Sequence, residues 1–382
     1  MKTDSLQTLY KTHKATALFG RYITNDTIHP LLNALPNICT VHTIGHSVRD
    51  KPIYGLTIGT GKKRILMWSQ MHGNESTTTK ALFDLLNTLC NASAASNSLL
   101  EAVTLNIIPI LNPDGAEAYT RVNANQVDLN RDAQNLTQPE SLVLRHVFNS
   151  FKPHFCYNLH GQRTIFSAGK ARKSATVSFL SPAEDAACTV TATRKKAMEV
   201  IAQMNTMLQD VIPGQVGVYD DAFNLNCVGD TFQSEHAPTI LFEAGHFEGD
   251  YDREYTRELI YRSYITSLNY IAAHDVTGTH YKPYYDIPEN EKLFFDIIIR
   301  NVSGYAANLV DVAIQFKETL QGTSLVFVPV VEKIGVLHDF YGHKEIDAQG
   351  ETLLDETHKM LAEGNENVIV ILKNEKIVLK AK

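Results

Sequence analysis

The hydropathy pattern of this 382-residue chain predicts an α/β fold. Its parts are a mixed, mostly parallel central sheet flanked by helices and a small β-rich domain at the C-terminal end. Three observations carry that prediction. Between about residues 40 and 275, short apolar runs alternate with stretches of helical period, the pattern of strands covered on both faces. A short segment around 281–290, flanked by Pro283 and Pro288, interrupts the pattern. Beyond it, apolar residues recur at every second position. The length suits one large domain plus a smaller one, divided here as 1–285 and 286–382.

Along the chain, residues 65–69 read as a buried strand, followed by a loop and a helix over 77–90. The next strand spans 103–110 and ends at Asn112-Pro-Asp-Gly115, a strong turn signal. A helix over 140–150 stops before Pro153, and 155–159 is another short strand. Ala197, Val200, Ile201, Met204 and Leu208 lie near helical spacing and predict an amphipathic helix over 194–209. A strand over 239–242 and a long helix over 253–273 complete the large unit. In the last hundred residues, Val310, Val312, Ile314 and Phe316 face one way, with Asp311, Ala313 and Gln315 between them. Residues 325–331, 367–372 and 376–380 also read as strands, the last two joined by a hairpin turn at Lys373-Asn374-Glu375.

Composition narrows the function. Lysine and arginine total 35 against 42 acidic residues, a formal charge of −7. That balance, with no basic cluster, argues against nucleic acid or an anionic membrane as partner. No apolar run approaches the roughly 18 residues of a membrane span, and the polar N-terminus lacks a signal-peptide core, so a cytoplasmic address is expected. Five cysteines without C-x-x-C spacing read as scattered reduced thiols. His338 and His343 lack a third ligand and predict no second metal.

Several chemistry-bearing residues follow predicted strands closely: His72 and Glu75, His160, and Glu243. The carboxyl ends of strands are where open α/β sheets gather their ligands. The H-x-x-E spacing of His72 and Glu75 at the mouth of a helix puts both side chains on one side, where a small cation can bridge them. Two nitrogens and one carboxylate form a common catalytic zinc set that leaves a position for water. Taken alone, the pair equally fits a loop histidine beside a helix-capping carboxylate.

Together, His72-Gly-Asn-Glu75, Asn112-Pro-Asp-Gly115, Asp128-Leu-Asn-Arg131, Leu159-His160-Gly161 and Phe242-Glu243 resemble the zinc carboxypeptidase family in content and order. The stretch Ile44–Ile53 resembles the strand–turn–strand that precedes the first ligands in that family, and the resemblance spans about 40–275. It implies one zinc per chain, held by His72, Glu75 and His160, and a peptide substrate with a free C-terminal carboxylate. By the same resemblance Glu243 is the general base and Arg121 the oxyanion arginine. Asn130 and Arg131 grip the terminal carboxylate, and Asp128 takes the other ring N–H of His72. Tyr219 is the nearest candidate for the tyrosine that closes over the substrate, with an ordinary loop tyrosine as the alternative. Asp220, Asp221 and Asp230 fall in the stretch that lines the specificity pocket in relatives and point to a basic or amino-bearing terminal residue. Two rivals remain open. One is an N-acyl amino acid deacylase resembling succinylglutamate desuccinylase or aspartoacylase, and the other is a non-catalytic zinc-binding module. The resemblance leaves the C-terminal domain without a role.

Overall fold

The structure, a computed structural model, describes residues 3–91, 93–305, 308–366 and 368–381. Eight strands form the central sheet: β1 (Cys39–His46), β2 (Pro52–Ile58), β3 (Lys63–Ser69), β4 (Val103–Ile108), β5 (Phe155–Gly161), β6 (Val177–Leu180), β7 (Val216–Val218) and β8 (Thr239–Ala244). Their order across the sheet is β1-β2-β4-β3-β5-β8-β6-β7. The four central strands, β4, β3, β5 and β8, run parallel, while β1, β2 and the β8/β6 pairing are antiparallel. The sheet is therefore mixed and mostly parallel at its centre, as the alternating pattern predicts.

Burial explains why the central strands read as unbroken apolar runs. In β3, Ile65 and Met67 join one core while Leu66 and Trp68 join the core on the opposite face, and all four are fully buried. On the first face lie the helices Thr77–Cys90, Ala192–Gln209 and Glu254–Ala273; on the second, Pro139–Phe151 and Val228–Ser234. A buried ion pair pins the first of these helices to the third: the Arg257 guanidinium donates to Asp84 and to the carbonyls of Ala15 and Leu18, which ties the N-terminal segment down as well. Both partners are fully buried, so removing Arg257 would leave the Asp84 carboxylate without its cation in the core.

The C-terminal region contains a four-stranded sheet of β9 (Phe294–Val302), β10 (Val310–Gln321), β11 (Ser324–Gly335) and β12 (Tyr341–Asp347), ordered β11-β10-β9-β12. A smaller sheet of Leu353–Asp355, Ile369–Leu372 and Glu375–Val378 lies beside it. Val312, Ile314 and Phe316 enter one core and Ala313 the other, so the alternation read from sequence holds. Both faces of the strand are covered, however: Asp311 and Gln315 are buried too. Lys373 and Asn374 adopt left-handed backbone angles, the geometry of a two-residue hairpin turn.

The segment around 281–290 that interrupts the pattern is stitched to the large unit. Lys282–Asp286 forms a 3-10 helix, and Asn290–Glu291 pairs with Ser167–Ala168. No helix among the described residues is long and apolar enough to cross a membrane. The five cysteines are unpaired.

Candidate metal centre and cleft

The site forms where the parallel strands end. β3 stops at Ser69 and the chain turns through His72-Gly-Asn-Glu75 before the helix at Thr77. Gly73 is required in that turn: a Cβ there would fall 1.9 Å from the backbone carbon of Gly115. Asn112-Pro-Asp-Gly115 is what brings Gly115 so close. Asn112 caps the helix Pro113–Ala118 by accepting from the Gly115 amide at 2.8 Å, and its amide group donates to the Met71 carbonyl. The turn signal read from sequence is thus the clamp that shapes the His72 loop.

His160 and Glu243 lie one step earlier than the sequence placed them. They belong to the last turns of β5 and β8 rather than to the loops beyond, and they are direct neighbours in the parallel register. Extended pairing carries both strands to their functional residue and so fixes its direction rigidly.

His72, Glu75 and His160 offer one ligand atom each within a single small space. His72 Nδ1 lies 2.9 Å from Glu75 Oε1, His160 Nδ1 lies 3.0 Å from Glu75 Oε2, and the two ring nitrogens are 3.1 Å apart. Both imidazoles are nearly inaccessible to solvent. Two ring nitrogens facing each other at this distance repel through their lone pairs unless a cation or proton stands between them. The donor set and its spacing fit zinc, whose bonds to nitrogen and carboxylate oxygen run about 2.0–2.2 Å. Burial opposes charge on Glu75, but the two histidines outweigh it and hold its carboxyl well below the usual range. Burial lowers His160, keeping it in the neutral form that ligates.

Asp128 supports the set from behind. Its carboxylate lies 3.1 Å from His72 Nε2 and accepts from the Asn130 amide at 2.9 Å, so it orients the ring and caps the turn Leu129–Arg131 at once. Arg121 spans the mouth, with its guanidinium on Asp128 at 3.0 Å and within 3.2 Å of His72 Nδ1.

A cavity of about 460 Å³ opens beside these groups, and Glu243, Arg121, Asn130, Arg131, Tyr219 and Asp230 all face it. Glu243 is half-buried, its Oε2 is shielded from solvent with no protein partner among the described residues, and desolvation and the nearby Glu75 push its carboxyl well above the usual range. Asn130 accepts from the Val228 amide and so fixes the helix that carries Asp230. The exposed Arg131 spends one donor on the Asn130 carbonyl. The Tyr219 ring packs against Phe166, and burial raises its hydroxyl. The three acids separate: Asp220 is exposed, Asp221 is paired with the buried Arg194 at 2.6 Å, and Asp230 is buried without an ion-pair partner among the described residues. Burial raises the Asp230 carboxyl to about 6.

The sequence model described as zinc carboxypeptidase matches residues 24–217, half of the chain. The chain belongs to that family. Among the curated relatives, carboxypeptidase E of Caenorhabditis elegans is 30% identical over 152 residues, covering 33% of this chain and 32% of the relative. Carboxypeptidase SOL1 of Arabidopsis thaliana is 29% identical over 163 residues, covering 37% and 33%. The match therefore spans about a third of the length of these relatives. Of solved structures, the carboxypeptidase A of Helicoverpa armigera superposes with a TM-score of 0.53 over 71% of this chain and 80% of that one, at 16% identity. A metallo-carboxypeptidase of Burkholderia cenocepacia gives 0.51 over 65% and 70%, also at 16%. At such identities they establish the shared fold.

Sequence reasoning missed part of the cleft. Gln162 and Arg163 line it and directly follow His160-Gly161, so their position alone was a signal. Arg21 and the strand β10 also line the cleft region, on the far side of Glu75, and nothing local in their sequence marks them.

Proposed function

We propose that the protein is a zinc-dependent metallocarboxypeptidase that removes the C-terminal residue of a peptide. The observation that carries the reading is the convergence in one cavity of His72, Glu75 and His160 beside Glu243, whose shielded Oε2 has no protein partner among the described residues. One zinc, held by those three side chains, would supply Lewis acidity that polarises the scissile carbonyl and acidifies a water to a pKa of about 7.

The chain's own groups do the rest. Glu243 accepts the proton of the attacking water and returns it to the leaving amine, a task suited to a carboxyl of raised basicity. Arg121 faces the charge that develops on the carbonyl oxygen. Arg131, a planar fork with donors to spare, and Asn130 hold the terminal carboxylate, which makes the enzyme an exopeptidase. Asp128 fixes the His72 ring, and Tyr219 covers the substrate. Asp230 selects a basic or amino-bearing terminal side chain. Residues 1–285 form the catalytic unit and 286–382 a β-rich domain.

The cleft also favours a peptide over an N-acyl amino acid, since cavities open on both sides of Glu75 and Arg121. The test pairs metal analysis with mass spectrometry of a peptide library. About one zinc per chain, lost in His72→Ala, and products shortened by one C-terminal residue are expected. Glu243→Gln should retain its zinc and lose about 10²–10⁴-fold in kcat/KM. Hydrolysis of acyl-amino acids with peptides untouched would turn the assignment to the deacylase, and zinc without any turnover would support a binding module.

A further inference from the structure

The cleft has a second chamber, of about 500 Å³, on the side of Glu75 and Arg121 away from Asn130, Arg131 and Asp230. Glu75, Arg121 and Gly161 line both cavities, so the two meet at Glu75. One wall of the second chamber is made by the C-terminal sheet: Gln315, Lys317 and Glu318 of β10, with Val330 and Glu332 of β11. That wall is anchored. Glu318 pairs with Arg21 and accepts from the Tyr119 hydroxyl at 2.6 Å, Gln315 donates to the Thr164 hydroxyl at 2.6 Å, and the Phe294 amide donates to the Ile165 carbonyl. Two side-chain carbonyl oxygens, Asn74 Oδ1 and Gln315 Oε1, are buried with no protein partner among the described residues, and both residues line the chamber. Buried acceptors are costly when left unpaired, and a ligand bringing N–H donors would satisfy them.

We infer that the C-terminal β-rich region builds a substrate subsite for the residues preceding the scissile bond, its ligand being an extended peptide main chain whose N–H groups reach Asn74 and Gln315. The inference rests on the carboxypeptidase reading. If the terminal carboxylate sits by Arg131 and the reacting carbonyl by Arg121, the amino side of the peptide has this chamber as its path. A blocked dipeptide reaches only its mouth, and a hexapeptide fills it.

The experiment compares kcat/KM on a blocked dipeptide and on a hexapeptide with the same last two residues. The enzymes are the full-length protein and the cavity-filling variants Val330→Trp and Glu332→Trp, the second at an exposed position that tolerates bulk. The expected result is a loss of about tenfold or more on the hexapeptide, with the dipeptide unchanged and zinc content retained. Zinc-loaded variants that treat both substrates as the wild type does, or that lose both equally, would overturn the subsite while leaving the carboxypeptidase assignment standing. A wild-type protein that shortens neither substrate would remove that assignment, and the subsite with it.

Discussion

At the scale of single residues, the three aspartates that sequence grouped together have different surroundings and so different capacities. Arg194 neutralises Asp221, and solvent screens Asp220, which leaves Asp230 as the carboxylate able to discriminate among terminal side chains. Its burial at the start of the helix Val228–Ser234 raises its carboxyl to about 6. The group is therefore anionic above that pH and neutral below it. Preference for a C-terminal lysine over a leucine should accordingly fade as the pH falls from 7.5 to 5, because the lysine keeps its charge while its partner loses one. Taking the ratio of the two kcat/KM values at each pH cancels the titration of the catalytic groups, which acts on both substrates. Asp230→Asn should lower that ratio about tenfold at pH 7.5 and make it flat with pH. A ratio that stays high in the variant would assign the selectivity elsewhere.

At the scale of elements, the candidate metal centre depends on one turn held against another. Gly73 and Gly115 touch backbone to backbone, and the Asn112 side chain locks the second against the first. In Gly73→Ala the new Cβ meets backbone atoms that cannot rotate away, so the His72–Glu75 turn must shift. The expectation is a folded protein whose zinc affinity falls about 10–100-fold, the range seen when support around metal ligands is lost; competition with a chelator measures it, and wild-type affinity would show that the turn relaxes freely. The same elements show how far sequence reaches. Strands such as β3 were legible because their middles, as in Ile65 to Trp68, are apolar and buried on both faces, and the candidate ligand residues because short motifs place chemistry after them. The ends of β5 and β8 were not legible: a histidine and a glutamate look like loop residues, and only pairing with a neighbouring strand keeps them extended. Arg21 and Glu318 were invisible for a different reason. They meet across 297 residues of chain, and no local pattern encodes such an encounter.

At the scale of the whole molecule, the C-terminal sheet is joined to the large unit by a partly polar seam whose groups titrate in opposite directions. His343 of β12 stacks on Phe294, lies against His246, and holds the Thr164 carbonyl at 2.8 Å; burial lowers it to about 4. Burial also lowers His246, which follows β8 closely and has no hydrogen-bond partner on either ring nitrogen among the described residues. Asp296 accepts from the Tyr251 hydroxyl and the Phe316 amide and is raised to about 6. An unfolded histidine takes up its proton near 6.5. Between that pH and about 4 the unfolded chain binds the extra proton, so the contribution of His343 to stability is lost as pH falls through this window. Asp296 acts the other way, since the folded state binds its proton first, and the melting temperature of the wild type alone would mix the two. The difference between wild type and His343→Gln isolates the histidine. At pH 7.5 the variant should melt lower, having lost the ring stack on Phe294. By pH 4.5 the gap should narrow, because the wild type has forfeited what its neutral histidine contributed and the variant had nothing there to forfeit. A gap constant from pH 7.5 to 4.5 would mean that the ring is hydrated or charged in the folded protein, and the seam would then carry no acid sensitivity through this residue.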